Sequence, residues 1–129
     1  MANLTSSLSD LANKLVVDIK ADTNEAENVT GASTGKSYII EIDTTSGSPT
    51  TDEPACYVKI ANASSITGGG NSSTIPTITM YAPIGAVTTY VISNGWEFDD
   101  GFSFWCVTTA ALNGDASPTS DVKVSIVST

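Results

Sequence analysis

At 129 residues the chain suits one domain with a real core, and with charged residues at only 15% the polar positions fall to Ser, Thr, Asn and Gly. The net charge is −9, there is no Arg, and Lys14, Lys20, Lys36, Lys59 and Lys123 stand singly, which disfavours nucleic acid and anionic membranes as partners. There is no His, so the commonest general base, the commonest metal ligand and any Ser/His or Cys/His nucleophile pair are excluded within this sequence.

The start, Met1-Ala2-Asn3-Leu4, lacks the basic residues and apolar run of a secretory leader. No stretch approaches the ~18 apolar residues of a membrane span. Synthesis in the cytoplasm with reduced thiols is therefore expected. No cofactor is expected either.

Residues 3–21 carry the one helical period of the chain. Leu4, Leu8, Leu11, Leu15 and Ile19 recur at spacings of four, three, four and four. Ser7 or Ser9 would cap such a helix. A helix is the first reading. A strand from about Lys14 to Lys20 is the second, with Leu15, Val17 and Ile19 on one face. Either way, Leu4, Leu8 and Leu11 form an apolar arm that packs on its own domain or docks on a neighbouring subunit. Residues 21–35 read as a polar connector. Together these make residues 1–37 an N-terminal arm ahead of a β domain over 38–129.

Gly31-Ala32-Ser33-Thr34-Gly35-Lys36-Ser37 has the flavour of a phosphate loop but fails as one. Its first glycine is one residue too close, and a strand follows where the loop needs a helix. It is read as a turn.

Tyr38 to Asp43 is a strand, with Ile40 and Ile42 facing one way and Ile39 and Glu41 the other. Residues 44–53 form a loop rich in Ser, Thr, Gly and Pro. Ala55 to Ala61 alternates cleanly, which puts Cys56, Val58 and Ile60 inward and Tyr57 and Lys59 outward. Residues 62–74 read as a loop with Gly68-Gly69-Gly70 at its tip. Thr74 to Met80 is a strand that Pro76 confines to an edge or a strand start. Residues 82–86 are a turn, Val87 to Ile92 a strand, and Ser93-Asn94-Gly95 another turn.

Residues 95–110 hold both tryptophans and all three phenylalanines. Trp96-Glu97-Phe98 enters the turn Asp99-Asp100-Gly101, where Gly101 supplies positive φ cheaply. A strand follows with Phe102, Phe104 and Cys106 on one face and Ser103, Trp105 and Val107 on the other. Large apolar residues on both faces predict a central, doubly covered strand. Val122 to Val127 alternates again, with Val122, Val124 and Ile126 inward. Six strands, or seven with residues 14–20, predict an all-β, mainly antiparallel fold: a β-sandwich or jelly-roll-like barrel.

Glu97, Asp99 and Asp100 are the densest acidic group. Paired carboxylates serve glycosidases and Ca²⁺ sites, but no calcium-loop spacing follows them, so a solvated turn is the expectation and no metal site is assigned. Cys56 and Cys106 are expected as core neighbours with free thiols; a disulfide is the alternative. Trp96, Asp99 and Asp100, with Leu4, Leu8 and Leu11 of the arm, are the candidate contact residues. No catalytic residue is assigned.

The order Tyr57-Val58-Lys59-Ile60-Ala61, then residues 76–85 from Pro76 to Gly85, then Gly95-Trp96-Glu97-Phe98, then residues 101–109 from Gly101 to Thr109, resembles small structural proteins of tailed bacteriophages. The likeness covers roughly residues 38–127. It implies a non-enzymatic β-sandwich of the virion. The expected role is a capsid decoration or cement protein, bound between major capsid protein subunits on the capsid surface as a homo-oligomer, in this reading a trimer. The rival expectations are a tail, fibre-base or head-completion protein and, from another class, a carbohydrate-binding module using Trp96 with Asp99 and Asp100.

Overall fold

A computed structural model describes residues 14–23, 26–66, 75–111 and 116–129. These residues form seven strands and no helix. The strands are β1 (Lys14–Asp18), β2 (Gly35–Asp43), β3 (Cys56–Ala61), β4 (Ile78–Ala82), β5 (Val87–Phe98), β6 (Ser103–Val107) and β7 (Lys123–Ser128). They make a four-stranded sheet in the order β1-β7-β2-β5 and a three-stranded sheet in the order β4-β3-β6. Every pairing is antiparallel. The all-β expectation is met as two facing sheets of a sandwich, not a closed barrel.

The helical reading does not hold over Lys14–Asp18. This segment pairs with β7 along its whole length, from Lys14 opposite Ser128 to Asp18 opposite Val124. The spacing of Leu15 and Ile19 fits both periods, and the open edge of β7 decides between them by satisfying the backbone. Val16 is the residue of β1 that packs on the core, while Leu15, Val17 and Ile19 face outward. Leu4, Leu8 and Leu11 lie outside the described residues.

The core is built where the inward rows of the two sheets meet. Ile40, Ile42, Val124 and Ile126 come from one sheet, and Cys56, Val58, Ile60, Met80, Ala82, Phe104 and Cys106 from the other. These positions follow the period-two alternation of their strands, which is why β2, β3 and β7 have the inward residues that the sequence predicts.

Three strands differ from expectation at their ends. β4 is shifted toward Ala82, because Pro76 has no N–H to give and the ladder opens only with Thr77 N–H donating to the Ile60 carbonyl at 2.7 Å. β2 begins three residues early, at Gly35. β5 does not stop at Ser93: it runs on to Phe98 as one strand. A wide irregularity opposite Tyr38 absorbs Ile92 to Gly95, after which Trp96, Glu97 and Phe98 pair with Ser37, Lys36 and Gly35.

β6 is doubly covered, as expected, but it lies at the edge of its sheet. All five of its residues are buried. Its free edge is closed by the connector after β1. Ala26 and Phe104 exchange both backbone bonds, Cys106 N–H donates to the Asp22 carbonyl, and Val29 N–H donates to the Phe102 carbonyl. A polar segment thus satisfies an edge that would otherwise invite another chain.

Its outer side meets a second cluster of Ala61, Ile66, Trp105 and Val107 with Tyr57 and Ala63 against them. This cluster also overturns the outward assignment of Lys59. That side chain is fully buried opposite Trp105, and its ammonium donates to the Ala111 carbonyl. Alternation placed Lys59 on the correct face; the loop after β3, through Ile66, makes that face an interior.

Candidate functional site

The chain crosses from one sheet to the other between Phe98, the last residue of β5, and Ser103, the first of β6. The crossing is held from below by aromatic packing. The rings of Trp96, Phe98 and Phe102 pack in a triangle, with centroids 5.6 to 6.0 Å apart. Two of the contacts are edge-on, the geometry that ring quadrupoles favour. Phe98 and Phe102 are buried, and Trp96 is partly buried against the core. Trp96 was a candidate contact residue; its ring is engaged with Phe98 and Phe102.

Asp99 and Asp100 are exposed, and the turn that carries them is fixed by Asn62, just past β3. The Asn62 side-chain amide donates to Asp99 Oδ1 at 2.7 Å. Its carbonyl oxygen accepts the backbone N–H of Asp99 at 3.1 Å and of Asp100 at 2.9 Å. Gly101 follows at φ 128°, and a Cβ there would lie 2.9 Å from the Ala63 carbonyl oxygen and the Ser64 backbone. Only glycine fits this approach of the crossing to the loop after β3.

Beside the turn lies an open cleft of about 560 Å³, lined by Gly35, Lys36, Asn62, Glu97, Phe98 and Asp99 among others. Lys36 and Glu97 stand opposite each other in the ladder, with Nζ and Oε1 4.0 Å apart, and both are well exposed. The pair contributes little to stability in that setting. Among the described residues no group of three or more His, Cys, Asp or Glu is placed to hold a metal ion. The cleft thus offers two carboxylates, Glu97 and Asp99, relieved by one Lys.

Cys56 and Cys106 lie on the same inward face: Cys106 stands opposite Val58, and Cys56 is two positions further along β3. Both are buried free thiols. The hydrogen bond between them, with burial added, pushes the Cys106 thiol well up, so it stays protonated. At the far end of β2 the Thr45 hydroxyl and N–H donate to Asp43 Oδ1 and hold its carboxyl below the usual range.

A second surface was not anticipated. On the outward face of the four-stranded sheet, Leu15 stands opposite Val127, Val127 opposite Ile39, and Ile39 opposite Val91. Leu15 is 67% and Val91 70% exposed. Val17 and Val87 extend the apolar area at its two edges. The signal was present in β2 and β5, where apolar residues occur on both faces, but which face turns outward depends on where the second sheet sits.

Asn62 was missed for a different reason. It is 37 positions from Asp99, and nothing in its local sequence marks it. Compared with protein-family models, with curated proteins and with solved structures, the chain matches none.

Proposed function

We propose that the protein is a non-enzymatic structural component of a bacteriophage virion. In this reading it is a decoration or cement protein that binds between major capsid protein subunits at the capsid surface and stabilises the shell. The observation that carries the reading is the corner after β5. A small sandwich presents three carboxylates at one corner, Glu97 at the end of β5 and Asp99 and Asp100 on a turn whose backbone is fixed by Asn62 and Gly101. A rigid acidic corner is suited to docking on a basic protein surface, because little ordering entropy is lost on contact and the charges steer the encounter. The resemblance of residues 38–127 to small phage structural proteins supports the same reading. Many weak copies on an ordered lattice gain strength by avidity. The assembly proposed is a trimer, matched to the local three-fold positions of an icosahedral shell.

The test is to mix the protein with expanded, undecorated capsids and follow bound copies by native mass spectrometry and electron microscopy. Hundreds of copies per particle are expected, with binding weakened by raised salt and by the D99N/D100N pair. A monomer that never binds shells overturns the proposal. A copy number of about 3 to 18 would place the protein in the tail, fibre base or head-completion complex instead. A carbohydrate-binding role is disfavoured by the packing of Trp96 against Phe98 and Phe102.

A further inference from the structure

Among the described residues the two open sheets end in four strand edges, those of β1, β5, β4 and β6. An edge offers unpaired N–H and C=O groups to any other strand unless something blunts it. Three of the four are blunted. β6 is bonded to Ala26, Asp22 and Val29. β4 is five residues long and lies between Pro76 and Pro83, and its Tyr81 carbonyl accepts the Tyr90 hydroxyl. β1 is also five residues long and ends on Asp18, a charge of the kind that discourages pairing.

β5 has none of these devices, although at 12 residues it is the longest of the seven strands. From Ile84 to Trp96 there is neither a charged residue nor a proline. Val87 to Val91 is rich in β-branched residues and pairs with β2 in unbroken register, ahead of the irregularity opposite Tyr38. The Thr44 N–H donates to the Ala86 carbonyl. Bonded and non-bonded pairs alternate along an antiparallel ladder, so Ala86, Thr88 and Tyr90 turn their N–H and C=O groups toward β2. Val87, Thr89 and Val91 turn theirs away from it, and no described strand pairs with that side.

We propose that this edge joins a second copy of the chain: two β5 strands pair antiparallel across a two-fold axis at Thr89. Thr89 then meets Thr89, and Val87 of each copy meets Val91 of the other, with two backbone bonds per pair. A two-fold contact needs a surface that fits itself. A neutral strand edge does, because the rotation sets donor against acceptor at all three positions. A foreign strand would find the same bonds but no side chain on the edge to select it. Charge agrees with a second copy. In this register Glu97 falls past Val87 of the other copy, where that strand has ended, and Asp99 and Asp100 fall further still. No carboxylate of the corner is set against another. The pairing also covers Val87 and Val91, which are 53% and 70% exposed, by placing each beside the other. The outward row Leu15–Val127–Ile39–Val91 then runs on into Val87 of the second copy.

The test is amide exchange by NMR on the full chain, with native mass spectrometry of the same samples. The Thr88 and Tyr90 amides are expected to be protected throughout, whereas those of Val87, Thr89 and Val91 should gain protection as the concentration rises to about 1 mM, together with a paired species. Free exchange of these three at every concentration overturns the proposal. So does their protection in a species of one or three copies only, which would mean that the edge is covered in some other way. A two-fold contact leaves the surfaces of a trimer to other parts of the chain, so pairs or hexamers both carry it. Thr89 is exposed, and T89K sets two ammonium groups side by side on the axis. That variant, and T89E likewise, should pair about five- to tenfold more weakly than the parent, and an equal mixture of the two should recover the pairing. Undiminished pairing of either variant alone, or no recovery in the mixture, overturns it. Added salt should strengthen the contact, since it joins two chains of net charge −9. Salt weakens the proposed shell binding, so the two readings fail separately.

Discussion

Asn62 and Asp99 lie at the ends of different strands, yet one side chain of the first fixes both the carboxylate and the backbone of the second. Asn62→Ala removes three hydrogen bonds on a partly exposed turn and is expected to lower stability by about 1–2 kcal/mol. Asn62→Asp keeps the acceptor for the Asp99 and Asp100 N–H groups but faces one carboxylate with another. Its loss should exceed that of the alanine variant at pH 7 and shrink as the pH falls through the carboxylate range. Urea denaturation of both variants at pH 7 and pH 4 checks the pair. Equal losses at both pH values would show that Asn62 does not hold the acidic turn.

Phe104 is 1% exposed and lies in the main cluster between the sheets, on a strand whose other face is also buried. Phe104→Ala is expected to cost about 3–5 kcal/mol, the transfer loss plus an unfilled cavity. A shift below 1 kcal/mol in chemical denaturation would contradict its burial.

Lys59 is buried, and burial lowers its pKa from the ordinary lysine value. Between that lowered value and the ordinary value near 10.5 the unfolded chain holds a proton that the folded chain has released, so stability rises with pH across this window. Below the window both states are protonated and the cost of the buried charge is fully present. Lys59→Met is expected to remove the rise and to stabilise the protein at pH 7 by about 1–2 kcal/mol. The Ala111 carbonyl it vacates belongs to an exposed residue and can turn to water. A variant less stable than the parent at pH 7 would show that this hydrogen bond outweighs the desolvation it requires.

Gly101 has positive φ and backbone atoms 2.9 Å from where a Cβ would be. Gly101→Ala should cost about 1–3 kcal/mol from the strained conformation and the clash together. Gly85 makes the contrast: its φ is also positive, at 71°, but nothing lies within 4 Å. Gly85→Ala is expected to cost less than Gly101→Ala in the same thermal scan. Equal losses would remove the argument from close approach.

Cys56 and Cys106 are both at or below 1% exposure, and the Cys106 thiol is held protonated. Neither should react with an aromatic disulfide reagent in the native protein beyond the rate of unfolding. Two equivalents are expected in denaturant. Rapid native labelling of even one thiol would mean that the space between the sheets opens locally.

The sequence shows strand faces well and sheet neighbours poorly. Ile40, Ile42, Val58, Ile60, Val124 and Ile126 declare themselves by alternation, because burial on one side imposes a period of two. Lys59 shows the limit of that signal. It sits on the expected face, but a charged residue in an alternating strand gives no sign that the segment after β3, with Ile66, makes that face an interior. Leu15 and Ile19 show another, since a spacing of four belongs to helix and strand alike and only the edge of β7 chooses. At the candidate site, Asp99, Asp100 and Gly101 were legible as a turn by their own chemistry. Asn62 and Lys36 were not, because what brings them there is pairing between segments far apart in the chain.

The place of β7 between β1 and β2 bears on how the protein is made. On the ribosome β1 and β2 emerge early but have no common neighbour, and the inward side chains Ile40 and Ile42 wait for residues 123–128. Half of the sandwich is thus withheld until residues 123–128 have been synthesised, and closure then joins strands more than a hundred positions apart. Folding is expected to be slow for its size. A nascent chain stalled before Val124 should remain protease-sensitive throughout, however stable the finished molecule.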